Sequence, residues 1–307
     1  MSPAMTLEAV PAALVAREAG QWAKAWRRLL SHKLAVAGLI VLAGIILLCA
    51  LGPIVSPFTF DSLDLRARFS APTTRHLFGT DELGRDAFVR VLYGGRNSLA
   101  VGFIVSIGVT IVGSLLGGLS GFVGGAFDNA LMRVVDFSYA LPEIVVLLVL
   151  SKVAGSGLQS IILILLLLNW TRIARLARGV VLSIRENTYV EAARASGARG
   201  SGILLRHILP NAVSPLIVAM TAAAGSAIRA EATLSFLGLG IQPPVPSWGN
   251  LLSNASSYFF TAPWQVVFPG TMIFLTLISF NFVGDGLRDA LDPRMLIGHR
   301  GLSGDNS

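Results

Sequence analysis

Long apolar runs alternate with short polar stretches along the chain, and their lengths predict six membrane-crossing helices at about residues 34–56, 98–123, 131–153, 158–176, 212–237 and 266–287. A helix needs roughly 20 residues to cross a hydrocarbon core of about 30 Å, and each run is near that length. The fourth is the clearest, since Gly155 to Thr171 is uncharged and Ile161 to Leu168 is unbroken aliphatic sequence. The third is the least regular, because Asp136, Pro142 and Glu143 interrupt it. The second carries Gly113 and Gly117, a small-xxx-small pair that lets helices approach closely. Residues 232–284 hold no charge, yet Pro243, Pro244, Pro246 and Pro263 forbid one continuous helix there. An outer loop with interfacial aromatics (Trp248, Tyr258, Phe259, Phe260, Trp264) is expected before the sixth span. The chain thus divides into an N-terminal tail (1–33), a first helix (34–56), an outer loop (57–97), a core of helices two to six (98–287) with a polar segment at 177–211, and a C-terminal tail (288–307).

Composition supports the same picture. With 53% hydrophobic residues, 13% charged residues and a mean hydropathy of +0.69, the 307-residue chain lacks the charged surface a soluble domain of this size needs. The net charge of +7 has no soluble basic face to sit on, so membrane lipid is an expected partner and nucleic acid is not. Five basic residues (Arg17, Lys24, Arg27, Arg28, Lys33) precede the first apolar run, a longer basic lead than a signal peptide has, so that run reads as an uncleaved helix with its N-terminus in the cytoplasm. Six spans then place sixteen basic residues inside and seven outside, with Arg229 left within a span. This bias supports an all-α integral membrane protein with both termini inside. Cys49 is the sole cysteine, so neither an intrachain disulfide nor a Cys-based metal site is expected.

Residues 188–210, a polar stretch between two spans, read as a helix-turn-helix. Thr188 and Glu191 have the spacing of a capping box for a helix beginning near Tyr189. Small Ala192, Ala193 and Ala195 let another surface come close, Gly197 permits a left-handed turn, and Ser201 can cap a second helix before Pro210. Such a segment is either a plug presented to a partner or a basic amphipathic loop lying on anionic lipid.

The same stretch resembles the cytoplasmic EAA loop of ABC-importer permeases, in Glu191, Ala192, Ala193, Gly197, Leu209 and Pro210, with His207 where the general pattern has Ile. Four further blocks, at 78–99, 170–193, 234–252 and 284–294, resemble the C-type permease of dipeptide, oligopeptide and nickel importers. That resemblance implies a type I ABC importer permease core of six transmembrane helices, forming half of a path for short peptides. It also implies a heterodimer with a second homologous permease, two cytoplasmic ATPase subunits and an extracytoplasmic substrate-binding protein in a bacterial inner membrane. Tyr189, Glu191, Ala192, Ala193, Gly197, Leu209 and Pro210 would then couple the chain to its ATPases.

The residues themselves offer no covalent chemistry. None of Lys24, Lys33 or Lys152 follows a glycine as a phosphate-cradling loop requires, so ATP and Mg are expected on partner subunits and no cofactor on this chain. His32, His76, His207 and His299 are isolated, without metal-ligand spacing. Charges inside the spans are more informative, since an ionisable side chain at midspan costs about 2.5–3.5 kcal/mol and therefore faces a cavity or a partner. On a continuous third span Asp136, Tyr139 and Glu143 share one face. Glu143 and Arg229 come to similar depth, so they are expected to pair or to line the translocation path together. Glu231 is a candidate contact for the neighbouring permease or the binding protein. Asp81, Gly84, Arg85 and Asp86 in the outer loop form either a platform at the mouth of the path or a self-contained turn, and Asp285, Arg288, Asp289, Asp292 and Arg294 are expected to tie the sixth helix to the cytoplasmic surface. An ion-coupled secondary transporter using the Asp136/Glu143 stripe, and a membrane scaffold, are the competing readings.

Overall fold

A computed structural model describes residues 21–198, 200–253 and 255–291. Arg17, Asp292, Arg294 and His299 lie outside the described residues, as do the side chains of Ser201 and His207. Among the described residues there is no strand beyond one antiparallel bridge between Thr80 and Asp86. The helices are α1 (Gln21–Ser31), α2 (Lys33–Val55), α3 (Ala87–Val123), α4 (Gly125–Ala140), α5 (Glu143–Ala154), α6 (Leu158–Arg185), α7 (Thr188–Ala195), α8 (Gly200–Ile203), α9 (Leu209–Phe236), α10 (Trp248–Ser253), α11 (Ala255–Tyr258) and α12 (Trp264–Leu291). Five of them, α2, α3, α6, α9 and α12, are long and apolar enough to cross a membrane.

Where one continuous span over 131–153 was expected, the chain forms a broken pair, α4 and α5, bent by 92°, which brings the crossings to six if the pair is counted as one span. Pro142 is the cause: it has no N–H to continue the ladder, and its ring holds Leu141 extended at φ −91, ψ 135. The second span also differs from expectation, starting at Ala87 rather than 98, so the last part of the predicted outer loop is helix. The Asp86 carboxylate explains that start, because it accepts from the Val89 N–H at 2.9 Å as an N-cap. The resulting 37-residue helix is about 55 Å long, more than the hydrocarbon core requires.

Close approach of α3 and α6 organises the inner half of the bundle. A β-carbon on Gly113 would meet Ile173 and the backbone of Trp170 and Ala174, and one on Gly117 would overlap the backbone of Ala174. The cluster around these helices includes Val105, Val109, Ile161, Leu165, Ile173, Val181 and Ile184, and continues to Ala212 and Leu216 of α9. A second cluster joins α2, α3, α9 and α12 through Cys49, Leu92, Ile228, Trp248 and Phe280. In α2, Pro53 leaves the Cys49 carbonyl without its helical donor, and Arg96 of α3 donates to that carbonyl at 2.8 Å and to Ala50 O at 2.6 Å.

The outer aromatics do not act alike. Trp248 is fully buried and donates its indole N–H to Val91 O at 3.0 Å, and Trp264 donates to Thr80 O at 3.1 Å. Both fasten the outer segment to the bundle rather than to lipid, whereas Phe260 is 95% exposed.

Candidate functional site

The polar stretch at 188–210 forms a helical projection with a buried root. α7 begins after Asn187, whose extended conformation (φ −74, ψ 142) makes it the N-cap, and no side chain caps that end. The expected capping box is therefore not formed: Thr188 already has helical geometry, which puts Glu191 one position too far along. The C-terminal end matches expectation. Gly197 has φ +80, Ala198 N–H donates to Ala193 O at 3.1 Å and Gly197 N–H to Arg194 O at 3.1 Å, the paired closure that a left-handed residue after a helix permits.

Pro210 does not end the second helix. α8 passes through one wide turn over Leu204–Ile208, in which Leu209 N–H reaches Leu204 O, directly into α9. The wider turn accommodates the proline, which cannot donate to the residue one helical turn earlier. The far arm of the projection and the fifth span are thus one rod. Tyr189, Glu191, Ala192, Gly197, Leu209 and Pro210 are exposed and Ala193 is half-buried. Val190 is fully buried, in the cluster that contains Ile184, Ile203 and Ile208. Arg185 at the end of α6 donates to Gly121 O and Phe122 O of α3, both at 3.3 Å. The projection is therefore joined to α3, α6 and α9 together. Sequence reading missed Val190, although a lone branched aliphatic residue between Ile184 and Ile203 was a usable signal.

A second polar region lies on α4, α5 and α6. Arg172 donates to Glu143 at 2.5 Å and Arg175 to Asp136 at 2.6 Å, and the Arg175 guanidinium lies 4.1 Å from the centre of the Tyr139 ring. All four charged side chains are roughly half exposed, between 43% and 57%. The expected Glu143–Arg229 pair is not formed: the bend at Pro142 turns Glu143 toward α6, while the Arg229 guanidinium donates to Ser226 Oγ at 3.3 Å. Arg172 and Arg175 escaped the sequence reading because they stand at the end of the clearest apolar run, where basic residues are ordinary flanks.

Glu231 is not the contact residue that was expected. It is fully buried within this chain, accepting from Ser98 Oγ at 2.8 Å and Ser235 Oγ at 2.7 Å. Those hydroxyls in turn accept from Trp248 N–H at 3.2 Å and Ile241 N–H at 3.1 Å, so the carboxylate knots α3, α9 and the outer segment. In the outer loop the self-contained turn is what forms. Asp81 accepts from Leu83 N–H and Arg85 N–H, both at 2.9 Å, and from Arg85 Nε at 2.7 Å. Gly84 has φ +72, and Asp86 meets His76 Nδ1 at 2.8 Å. Asp81, Arg85 and Asp86 are buried, so they do not present a charged platform. Between α1 and α2, His32 approaches Asp289 of α12 at 3.6 Å. Among the described residues no group of three His, Cys, Asp or Glu side chains is placed to hold a metal ion.

Comparison with known proteins adds three findings. The family described as binding-protein-dependent transport system inner membrane component matches residues 113–297, and that described as the N-terminal TM domain of oligopeptide transport permease C matches residues 20–72. The chain is 40% identical over 274 residues to the dipeptide transport system permease protein DppC of Alkalihalophilus pseudofirmus, covering 89% of this chain and 90% of that one. It is 39% identical over 274 residues, with the same coverage, to the oligopeptide transport system permease protein OppC of Bacillus subtilis. Its backbone resembles a chain of the methionine ABC transporter MetNI, solved in inward-facing conformations, with a TM-score of 0.53 and 22% identity over 66% of this chain and 96% of that one.

Proposed function

Since the chain belongs to the inner-membrane component family of binding-protein-dependent transport systems, we propose that it forms half of a transmembrane path for short peptides, driven by partner ATPases through residues 188–210. It is a multi-pass transport subunit of the bacterial inner membrane, not an enzyme. The other half of the path is a second homologous permease, ATP and Mg act on two cytoplasmic ATPases, and an extracytoplasmic binding protein delivers the cargo. The similarity to permeases named for dipeptides and oligopeptides supports the peptide cargo.

One observation carries the coupling role: an exposed helix, α7, whose single buried residue, Val190, ties it to the cores of α6 and α9. An exposed face can dock in a partner's groove, and a buried root makes the spans follow when that partner moves. Because α8 runs into α9 without a break at Pro210, displacement of the projection is displacement of the fifth span. Tyr189, Glu191, Ala192, Ala193, Gly197, Leu209 and Pro210 form the docking surface in this reading. Asp136, Tyr139 and Glu143 line the path, since charged side chains half exposed within a span must face protein or water rather than lipid. Arg229, exposed and without a carboxylate partner among the described residues, is assigned to the same path. Reconstitution tests the function: peptide uptake should require the ATPases and ATP, and uptake by this chain alone in a proton gradient would instead establish an ion-coupled transporter.

A further inference from the structure

The two ion pairs on α6 have a property that a path of isolated charges would lack. Arg172 and Arg175 stand three residues apart and therefore on neighbouring positions of one helix face, each already holding a carboxylate from a different helix. A short peptide with free ends carries one ammonium and one carboxylate. When such a zwitterion enters an Arg–carboxylate pair, the ammonium takes the carboxylate and the peptide's carboxylate takes the guanidinium. Every charge then keeps a partner. The exchange avoids the main cost of moving a doubly charged molecule through a low-dielectric passage, which is leaving any charge unpaired.

We propose that Glu143–Arg172 and Asp136–Arg175 are a relay for zwitterionic cargo, opening one after the other to receive the free α-ammonium and α-carboxylate of a peptide. The inference rests on the reading that this face lines the path. Three observations support it. Both pairs are short, at 2.5 and 2.6 Å, yet half exposed, so a ligand can reach them without unfolding the bundle. The carboxylates come from opposite sides of the bend at Pro142, on two separate short helices, so one pair can open while the other stays closed. The Tyr139 ring stacks on Arg175 and keeps that guanidinium positioned while its carboxylate is engaged elsewhere.

The test uses the assembled importer in proteoliposomes, with saturating binding protein, and two probes: alanyl-alanine and alanyl-alanine amide. Each variant's ATP-driven uptake is divided by that of the unaltered importer for the same probe, so selection by the binding protein cancels. R172Q/E143Q removes both charges while keeping shape. The expected result is at least a tenfold fall for alanyl-alanine and less than a threefold fall for the amide, which has no carboxylate to exchange. R172K, which keeps the charge, should retain at least half of the alanyl-alanine uptake. Equal ratios for the two probes, or unchanged alanyl-alanine uptake in R172Q/E143Q, would overturn the relay. If R172Q/E143Q does not assemble, D136N/R175Q gives the same comparison at the second pair.

A140C separates this failure from failure of the path itself, since Ala140 is exposed one turn from Asp136 and the native Cys49 is buried. Labelling by a membrane-impermeant maleimide with equal probe ratios sinks the relay alone. No labelling in any nucleotide state sinks the path reading on which it rests.

Discussion

Asp128 holds Arg178 with both carboxylate oxygens, at 2.5 Å to Nε and 2.7 Å to Nη2, and accepts from Ser120 Oγ at 2.5 Å as well. This clamp closes the corner where α3 turns into α4 and fastens it to α6 three residues before Val181 and six before Ile184, both in the cluster that holds Val190. Asp128 is buried and Arg178 is one-third exposed, so the pair lies between the surface and buried cases. Asp128→Asn should cost about 1–3 kcal/mol, since it loses the charge-assisted geometry but keeps one acceptor. The measurement is thermal unfolding of the purified importer. If the clamp transmits motion, ATP hydrolysis stimulated by the loaded binding protein should also fall more than the loss of stability explains, and unchanged stimulation would show that the clamp is structural only.

The closeness of α3 and α6 makes a second expectation. Gly117 lies against the backbone of Ala174, which cannot rotate away, so Gly117→Ala should destabilise by about 1–3 kcal/mol through overpacking. Gly118 is the control, because a β-carbon there would meet only Val181 Cγ2, at 4.0 Å. Gly118→Ala should leave the melting temperature within a degree or two of the parent. Equal melting temperatures for the two variants would contradict the packing described.

At Gly197 the constraint is conformational rather than steric, with φ +80 and open space where a β-carbon would point. Asn tolerates the left-handed region and Val does not, so Gly197→Asn should retain most ATP-driven uptake while Gly197→Val loses at least tenfold. Both variants should insert in the membrane normally. Equal uptake by the two would mean that the left-handed turn does not matter for coupling.

Glu231 separates a structural role from a path role. Glu231→Gln keeps an acceptor for Ser98 or Ser235, whereas Glu231→Leu leaves both buried hydroxyl protons without their acceptor. Expected losses are under about 1 kcal/mol for Gln and about 2–4 kcal/mol for Leu, read as thermal stability and as trypsin cleavage in the outer segment. A Glu231→Leu variant with parental stability but no uptake would move this residue to the path.

Much of the architecture was legible because it depends on local rules. Uncharged length gives spans, basic residues at their ends give orientation, Pro142 weakens the third run, and Gly197 marks a left-handed turn; each needs only a residue and its immediate neighbours. Five ordered blocks along the chain were enough to indicate the family. Helix starts were less legible. α3 begins at Ala87 because Asp86 caps it, and that cap sits in a folded outer loop where His76, ten residues earlier, also holds the same carboxylate.

The sequence by itself determined the apolar spans, their orientation and the polar projection at 188–210, since these follow from hydrophobicity and backbone preference along a one-dimensional chain. Only the tertiary structure decided which charges meet. Similar depth suggested Glu143 with Arg229, but a bend of 92° sends Glu143 to Arg172, and Glu231 turns inward to the hydroxyls of Ser98 and Ser235 rather than outward to a partner. The physical reason is that ion pairing falls off within a few ångströms, and distances that short are set by helix rotation and packing, which residue spacing alone does not fix.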